Sequence, residues 1–275
     1  MKGIVLAGGN GRRMQPLTEV TNKHLLPVYD KPMIFYPINT LIQGGVKDIM
    51  IVTGKEYAGG FLKLLGSGRE FGCRFHFEIQ EDALGIAHAL DLAASFVGND
   101  TCAVILGDNI YEHEFKDEMK NFTTGAHVFL KYVSDAFRFG VATISDSRIT
   151  SIVEKPSDIN DGLAVTGLYL YDSSVFEIIK TLKPSGRGEL EITDVNNAYI
   201  QAGTMSHTVL EGEWTDCGTF ESLYRANSIA RHLVMNGLTT PFENEIQNRK
   251  QRQLDLDRKW QSSVIAATKG RKKTY

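Results

Sequence analysis

Cysteine is scarce, with three residues in 275 (Cys73, Cys102 and Cys217) and no CxxC pair. An odd, widely spaced set excludes a disulfide framework and fits a reduced, cytoplasmic protein. The seven histidines form no HxxxH or HExxH arrangement, so no zinc site is expected. No apolar run approaches the roughly 18–20 residues of a membrane span, and strand-like sequence begins at once, without a signal-peptide layout. An excess of one charge is also lacking: 30 basic and 33 acidic side chains are interspersed, for a net −3. That balance offers no general surface for nucleic acid or acidic lipid.

What is present is a regular rhythm. Strand patterns at Lys2–Leu6, Asp48–Val52, Arg74–Ile79 and Cys102–Leu106 alternate with helix patterns at Met33–Gln43, Tyr57–Leu65 and Ile86–Phe96. Short apolar strands in a βαβα order predict an α/β fold with a mostly parallel sheet covered on both faces. After residue 125, Ala126–Val133, Val141–Ile144, Ile149–Glu154 and Val165–Tyr171 follow with little helix between them, which predicts antiparallel or mixed additions to that sheet. Helices are expected at Ser174–Lys183, Ile192–Gln201 and Phe220–Asn236. A strand is expected at His207–Leu210. From Asn236 onward the chain is polar, with a surface helix expected at Glu243–Gln261 and a solvated basic end.

The densest signal is MKGIVLAGGNGRRMQPLTEVTNKHLLP. Gly8, Gly9 and Gly11 after the first strand allow a tight backbone that presents N–H groups to a polyphosphate. Arg13 and Lys23 add cations at two points, the first as a fork and the second as a point charge. A plain Gly-rich turn is the weaker reading, given those two spaced cations. Neither familiar phosphate loop fits. The dinucleotide fingerprint needs glycine where Met14 stands, and Gly54-Lys55 is followed by Glu56 rather than Ser or Thr.

Ligands of open α/β sheets sit beyond the carboxyl ends of the strands. The Gly loop, Gln80 to Gly85, and Gly107-Asp108-Asn109 all fall there and are expected to share one crevice. A carboxylate at the mouth of a buried strand needs a partner. For Asp108 that partner is magnesium beside a nucleoside triphosphate, or the next turn if Asp108 is a cap. Asp216 is the candidate second metal carboxylate, with helix capping as its own alternative. Glu154-Lys155-Pro156 closes another strand, where proline is expected to keep Lys155 extended. Glu154 is suited to hydroxyls and Lys155 to a phosphate, although an exposed ion pair accounts for them equally. Arg187, in a Gly-flanked loop, is either a second phosphate contact or a surface arginine.

Nine motifs stand in collinear order: GGNGRRMQPLT, NKHLLPVYDKPMI, GIAHA, LGDNI, FGVA, EKP, VTGLY, RGELEITD and WTDCGT. Together they resemble the sugar-1-phosphate nucleotidylyltransferases, most of all the branch that pairs dTTP with glucose 1-phosphate. The resemblance implies one Rossmann-like nucleotide-diphospho-sugar transferase domain over residues 1–238, with a polar extension over 239–275 that is partly helical or flexible. It implies NTP plus sugar 1-phosphate giving NDP-sugar and pyrophosphate, with Mg2+ as cofactor. UTP or another sugar phosphate is the alternative, followed by a non-catalytic nucleotide-sugar binder. It further implies a homo-oligomer.

Residue by residue, the resemblance places Leu6, Gly8, Gly9 and Gly11 at the nucleotide, with Arg13 on the triphosphate and the departing pyrophosphate. Lys23 falls at the reacting phosphates, Gln80 and Gly85 at the base, and Asp108 and Asp216 on the metal. Gly140, Glu154 and Thr166 line the sugar pocket, while Lys155 and Arg187 hold the sugar phosphate. Val153 stands where close relatives carry a second glutamate, and Phe139 where they carry tyrosine.

Overall fold

The computed structural model describes residues 1–236, 251–252 and 254–262. In chain order the elements are β1 (Lys2–Ala7), β2 (Pro27–Val28), β3 (Lys31–Pro32), α1 (Phe35–Gln43), β4 (Asp48–Gly54), α2 (Ala58–Leu65) and β5 (Arg74–Gln80). There follow α3 (Ile86–Asp91), α4 (Ala94–Val97), β6 (Cys102–Leu106), β7 (Asn109–Tyr111), α5 (Lys116–Asn121) and β8 (Ala126–Val133). The remainder comprises β9 (Gly140–Ser145), β10 (Arg148–Glu154), β11 (Gly162–Tyr171), α6 (Val175–Thr181), α7 (Ile192–Gln201), β12 (Met205–Val209), β13 (Trp214–Asp216) and α8 (Phe220–Met235).

Nine strands form the main sheet, in the order β10-β9-β11-β6-β1-β4-β5, with β8 beside β11 and β12 beside β8. The four strands β6, β1, β4 and β5 run parallel. β11 enters antiparallel to β6, β8 and β9, and its register shifts between Val165 and Tyr169. That irregularity lets one long strand serve β9 at its start and β6 at its end. The mixed half of the sheet, expected after residue 125, is built around it.

Alternation along the buried strands divides the core between the two faces of the sheet. Val5, Ile49, Ile51 and Ile105 pack with Ile38 and Leu41 of α1 and Phe61 of α2. On the other face Ile4, Val52 and Val104 pack with Leu90 of α3, Val97 of α4, Ile179 of α6 and Val195 of α7. A third cluster joins Met14, Val28, Met33 and Ile110 to Ile229 of α8. This cluster braces the Gly loop from behind. Pro37 lies in the first turn of α1, where a missing N–H is tolerated.

The chain departs from expectation in a few places. The helix expected over 86–96 is two, because Ala93 N–H bonds back three residues to Leu90 and tightens the turn between α3 and α4. Residues 254–262 are helical, which covers the end of the surface helix expected at 243–261; residues 243–250 lie outside the described residues. Among the described residues no helix is long and apolar enough to cross a membrane.

Candidate active site

β1 leaves the sheet with β4 on one side and β6 on the other, so the crevice past their carboxyl ends lies at a topological switch point. Two adjoining cavities among those that open there make up the candidate site. The first is lined by Leu6, Gly8, Gly9, Lys23, Gln80 and Gly85, among others. The second is lined by Arg13, Gly140, Glu154, Lys155, Arg187 and Asp216 together with Arg138 and Trp214. Ile86, Leu106, Asp108 and Glu189 border both. The result is one two-part groove with Asp108 at its junction.

In the first part the backbone comes close to side chains. A Cβ on Gly8 would stand 2.4 Å from Gln80 Oε1, so the loop passes close under that amide. Gln80 closes β5, is nearly buried, and lies 3.3 Å from His88 Nδ1 through Nε2. Gly85 has φ +104, and a Cβ there would meet the Leu190 carbonyl oxygen at 2.5 Å. Gly11 (φ +61) is not on the lining. It packs against Thr18 and the base of Lys23, and its carbonyl accepts from Thr18 Oγ1 at 2.9 Å.

At the junction Lys23 Nζ donates to Asp108 Oδ2 at 2.5 Å and Asn109 Nδ2 to Asp108 Oδ1 at 2.9 Å. Neither contact is a helix cap, which removes that alternative for Asp108. Burial acts to raise the Asp108 pKa, but Lys23 and these hydrogen bonds hold it far below the usual carboxylate range. His24, behind them, is pushed down to about 3 by burial and then by Lys23, and is neutral at pH 7.

Asp216 reaches the same place from β13, which pairs with β7 so that Asp216 faces Asn109, while Cys217 N–H bonds the Asp108 carbonyl at 2.9 Å. The sequence pattern, with a strand expected at His207–Leu210 and a helix from Phe220, did not mark this short strand. Thr219, in a reciprocal arrangement with Ser222, caps α8 instead. Burial and then the charge of Asp108 raise the Asp216 pKa, against the pull of Arg138. A Cβ on Gly218 would lie 2.6 Å from Asp216 Oδ2 and 3.0 Å from Arg13 Nη2, so both side chains close over a bare backbone there. Cys217 is fully buried with its thiol pushed well up, which makes it inert.

In the second part, Glu154 accepts from Thr193 Oγ1 at 2.6 Å and Arg187 Nη2 at 3.1 Å, and Lys155 Nζ lies 3.4 Å away. Arg187 also pairs with Glu191 at 2.7 Å and is therefore no loose surface arginine. Lys155 is not extended: its φ is +44, and its N–H bonds the Phe139 carbonyl at 2.9 Å. The left-handed twist turns Lys155 onto the cavity that Glu154 lines, where an extended residue would have faced away. Gly140 stands opposite Glu154 in the β9–β10 ladder. Thr166 is fully buried between Val165 and Gly167, and those two reach the lining while Thr166 does not. The strand's alternation turns its side chain to the opposite face.

Asn109, Arg138 and Trp214 were not singled out from the sequence. Asn109 Oδ1 accepts from Trp214 Nε1 at 2.8 Å, the Gly167 N–H at 3.1 Å and Tyr111 Oη at 3.2 Å. One nearly buried amide therefore ties β7, β11 and β13 to Asp108. The sequence placed Asn109 at the crevice, beside Asp108 in LGDNI, but gave it no role of its own.

The sequence profile described as "Nucleotidyl transferase" matches residues 2–232. The chain belongs to that family. A glucose-1-phosphate thymidylyltransferase of Neisseria meningitidis is 44% identical over 238 residues, covering 84% of this chain and 83% of the relative. One from Mycobacterium tuberculosis is 41% identical over 253 residues, covering 90% and 88%. Among solved structures, a Bacillus anthracis protein described as a candidate glucose-1-phosphate thymidylyltransferase, in complex with a sucrose, superposes with a TM-score of 0.80. It shares 53% identity, over 84% of this chain and 95% of that one. A UDP-glucose pyrophosphorylase complexed with UDP-glucose gives a TM-score of 0.74 at 25% identity, over 84% and 98%.

The backbone of Lys155 offers a check on this geometry. A non-glycine residue at positive φ costs roughly 1–2 kcal/mol, and the position before proline adds to that strain. Lys155→Gly is expected to melt at or above the wild-type temperature while losing activity, whereas Lys155→Ala loses activity with no gain in melting temperature. Paired thermal melts check this; a Lys155→Gly protein less stable than Lys155→Ala contradicts the strained-lysine reading.

Proposed function

We propose that the chain transfers a thymidylyl group from dTTP to glucose 1-phosphate, giving dTDP-glucose and pyrophosphate. The observation that carries this reading is the continuity of the groove. A glycine-lined half with an amide at its end meets a half holding Glu154, Lys155 and Arg187, and cations and carboxylates crowd the junction. Such a site suits two polyanions that must meet at one phosphorus.

In this reading the base lies against Gln80 and Gly85, and the triphosphate follows Gly8 and Gly9 toward Arg13 and Lys23, while Gly11 shapes the loop from behind. Glucose is held by Glu154 and the Gly140 backbone, and its phosphate by Lys155 and Arg187. No general base is needed, because the sugar phosphate is already an anion and its oxygen attacks the α-phosphorus in line. The chain orients the two substrates and neutralises charge on the leaving pyrophosphate.

The residues present suit a hard divalent cation. Asp216 ends β13 opposite Asn109, the residue after Asp108, and burial and then the charge of Asp108 make its ionised form costly, a cost that a cation relieves. Magnesium held there supplies Lewis-acid neutralisation of phosphate charge. Three buried free thiols, Cys73, Cys102 and Cys217, suit a reducing compartment, and we place the enzyme in the cytoplasm.

The experiment is a pyrophosphate-release screen crossing dTTP, UTP and the purine triphosphates with glucose, galactose, mannose and N-acetylglucosamine 1-phosphates. Release is expected to be fastest with dTTP and glucose 1-phosphate. Faster release with UTP would move the chain to the uridylyl reading, and no release with any pair would overturn the transferase.

Within that reading the cations divide between substrates. Lys155→Ala is expected to raise KM for glucose 1-phosphate far more than KM for dTTP, while Arg13→Ala mainly lowers kcat because its contact strengthens as pyrophosphate leaves. Steady-state kinetics with each substrate varied in turn checks both. If Lys155→Ala weakens dTTP alone, the sugar phosphate has been put in the wrong half of the groove.

A further inference from the structure

Arg138 enters the groove from the turn before β9, with its side chain only 17% exposed. Its Nη1 is held by Asp135 at 2.7 Å, and its guanidinium lies over the Phe139 ring, 4.9 Å from the centroid. Phe139 in turn packs on Trp214 at 5.1 Å. The remaining Nη2 lies 2.8 Å from Asp216 Oδ1 and 2.7 Å from Oδ2. One nitrogen equidistant from both oxygens of a carboxylate occupies the position a chelated cation takes.

We infer that Arg138 is a place-holding cation for Asp216, which a divalent metal displaces on binding and which is then free to contact a phosphate in the same cavity. The inference rests on the metal role proposed for Asp216. Its physical basis is that Asp216 is largely buried close to a second carboxylate, where an unpaired charge is costly. Asp135 and the Phe139 face anchor the guanidinium, so losing Asp216 lets Nη2 pivot without leaving the groove. Arg138 already lines the cavity that holds Lys155 and Arg187. The exchange couples arrival of the metal to delivery of a further charged N–H donor for the sugar phosphate. Lys23 stands on Asp108 in the same manner, so each carboxylate carries one resident cation before substrate binds.

The test is a Mn2+ titration of the substrate-free protein, with free Mn2+ read by electron paramagnetic resonance. Asp216→Asn defines the binding that depends on Asp216. Arg138→Gln and Arg138→Met, two neutral side chains of similar reach, remove the competing charge, and the second guards against one that folds poorly. Each is expected to bind Mn2+ roughly tenfold tighter, the scale of one surrendered charge contact, with Arg138→Lys close to wild type. KM for glucose 1-phosphate is expected to rise several-fold in the neutral variants. Damage to the fold would weaken metal binding, so a gain in affinity cannot arise from it. If Asp216→Asn lowers Mn2+ affinity and neither neutral variant raises it, the exchange is overturned while the metal role stands. If wild type and Asp216→Asn bind Mn2+ alike, both are overturned.

Discussion

An ionised carboxylate on the end of a buried strand has to be neutralised where it stands, and Asp108 organises the crevice through that demand. Lys23 arrives from the segment after the Gly loop to meet one oxygen, and Asn109 holds the other. Because Asn109 also takes Trp214 and the Gly167 backbone, β13 and β11 are drawn to the same point. Gly167 is needed for this: a Cβ there would stand 2.7 Å from the Asn109 amide. A buried ion pair such as Lys23–Asp108 about breaks even in stability against apolar replacements. Its consequence is positional, since it fixes a cation from the first loop at the junction of the two half-sites.

The same pattern extends along the groove. Lys23 is paired with Asp108, Arg138 with Asp216 and Asp135, and Arg187 with Glu154 and Glu191. Polyanions entering such a groove find cations already oriented, so little reorganisation is left for the reacting step. They must also compete with resident carboxylates, which is a reason for the proposed divalent metal to sit at the aspartates. Lys155 adds backbone strain to this arrangement, of a kind that persists at functional sites when the surroundings over-determine it.

Much of this was legible in the chain. Short apolar strand patterns in a βαβα rhythm located β1, β4, β5 and β6, and the ligand position of open sheets then placed Gly8, Gln80 and Asp108 in one crevice. The signals that failed were short or non-local. β7 and β13 are three residues each, too short for any period, and their pairing is what brings Asp216 to Asp108. The proline rule, applied to Lys155, lost to the bond between its N–H and the Phe139 carbonyl. Asn109 and Arg138 act through partners 58 and 78 residues away in sequence, a relation no local pattern carries. Thr166 was placed by resemblance, and alternation along β11 turns it off the cavity.

The account depends most on Asp108 as the shared charge of both half-sites. Its most direct test is steady-state turnover of Asp108→Asn at saturating divalent metal, with dTTP and glucose 1-phosphate as substrates. Asparagine keeps the shape and removes the charge, so turnover is expected to fall by at least about 100-fold. Near-normal turnover under those conditions would contradict the account.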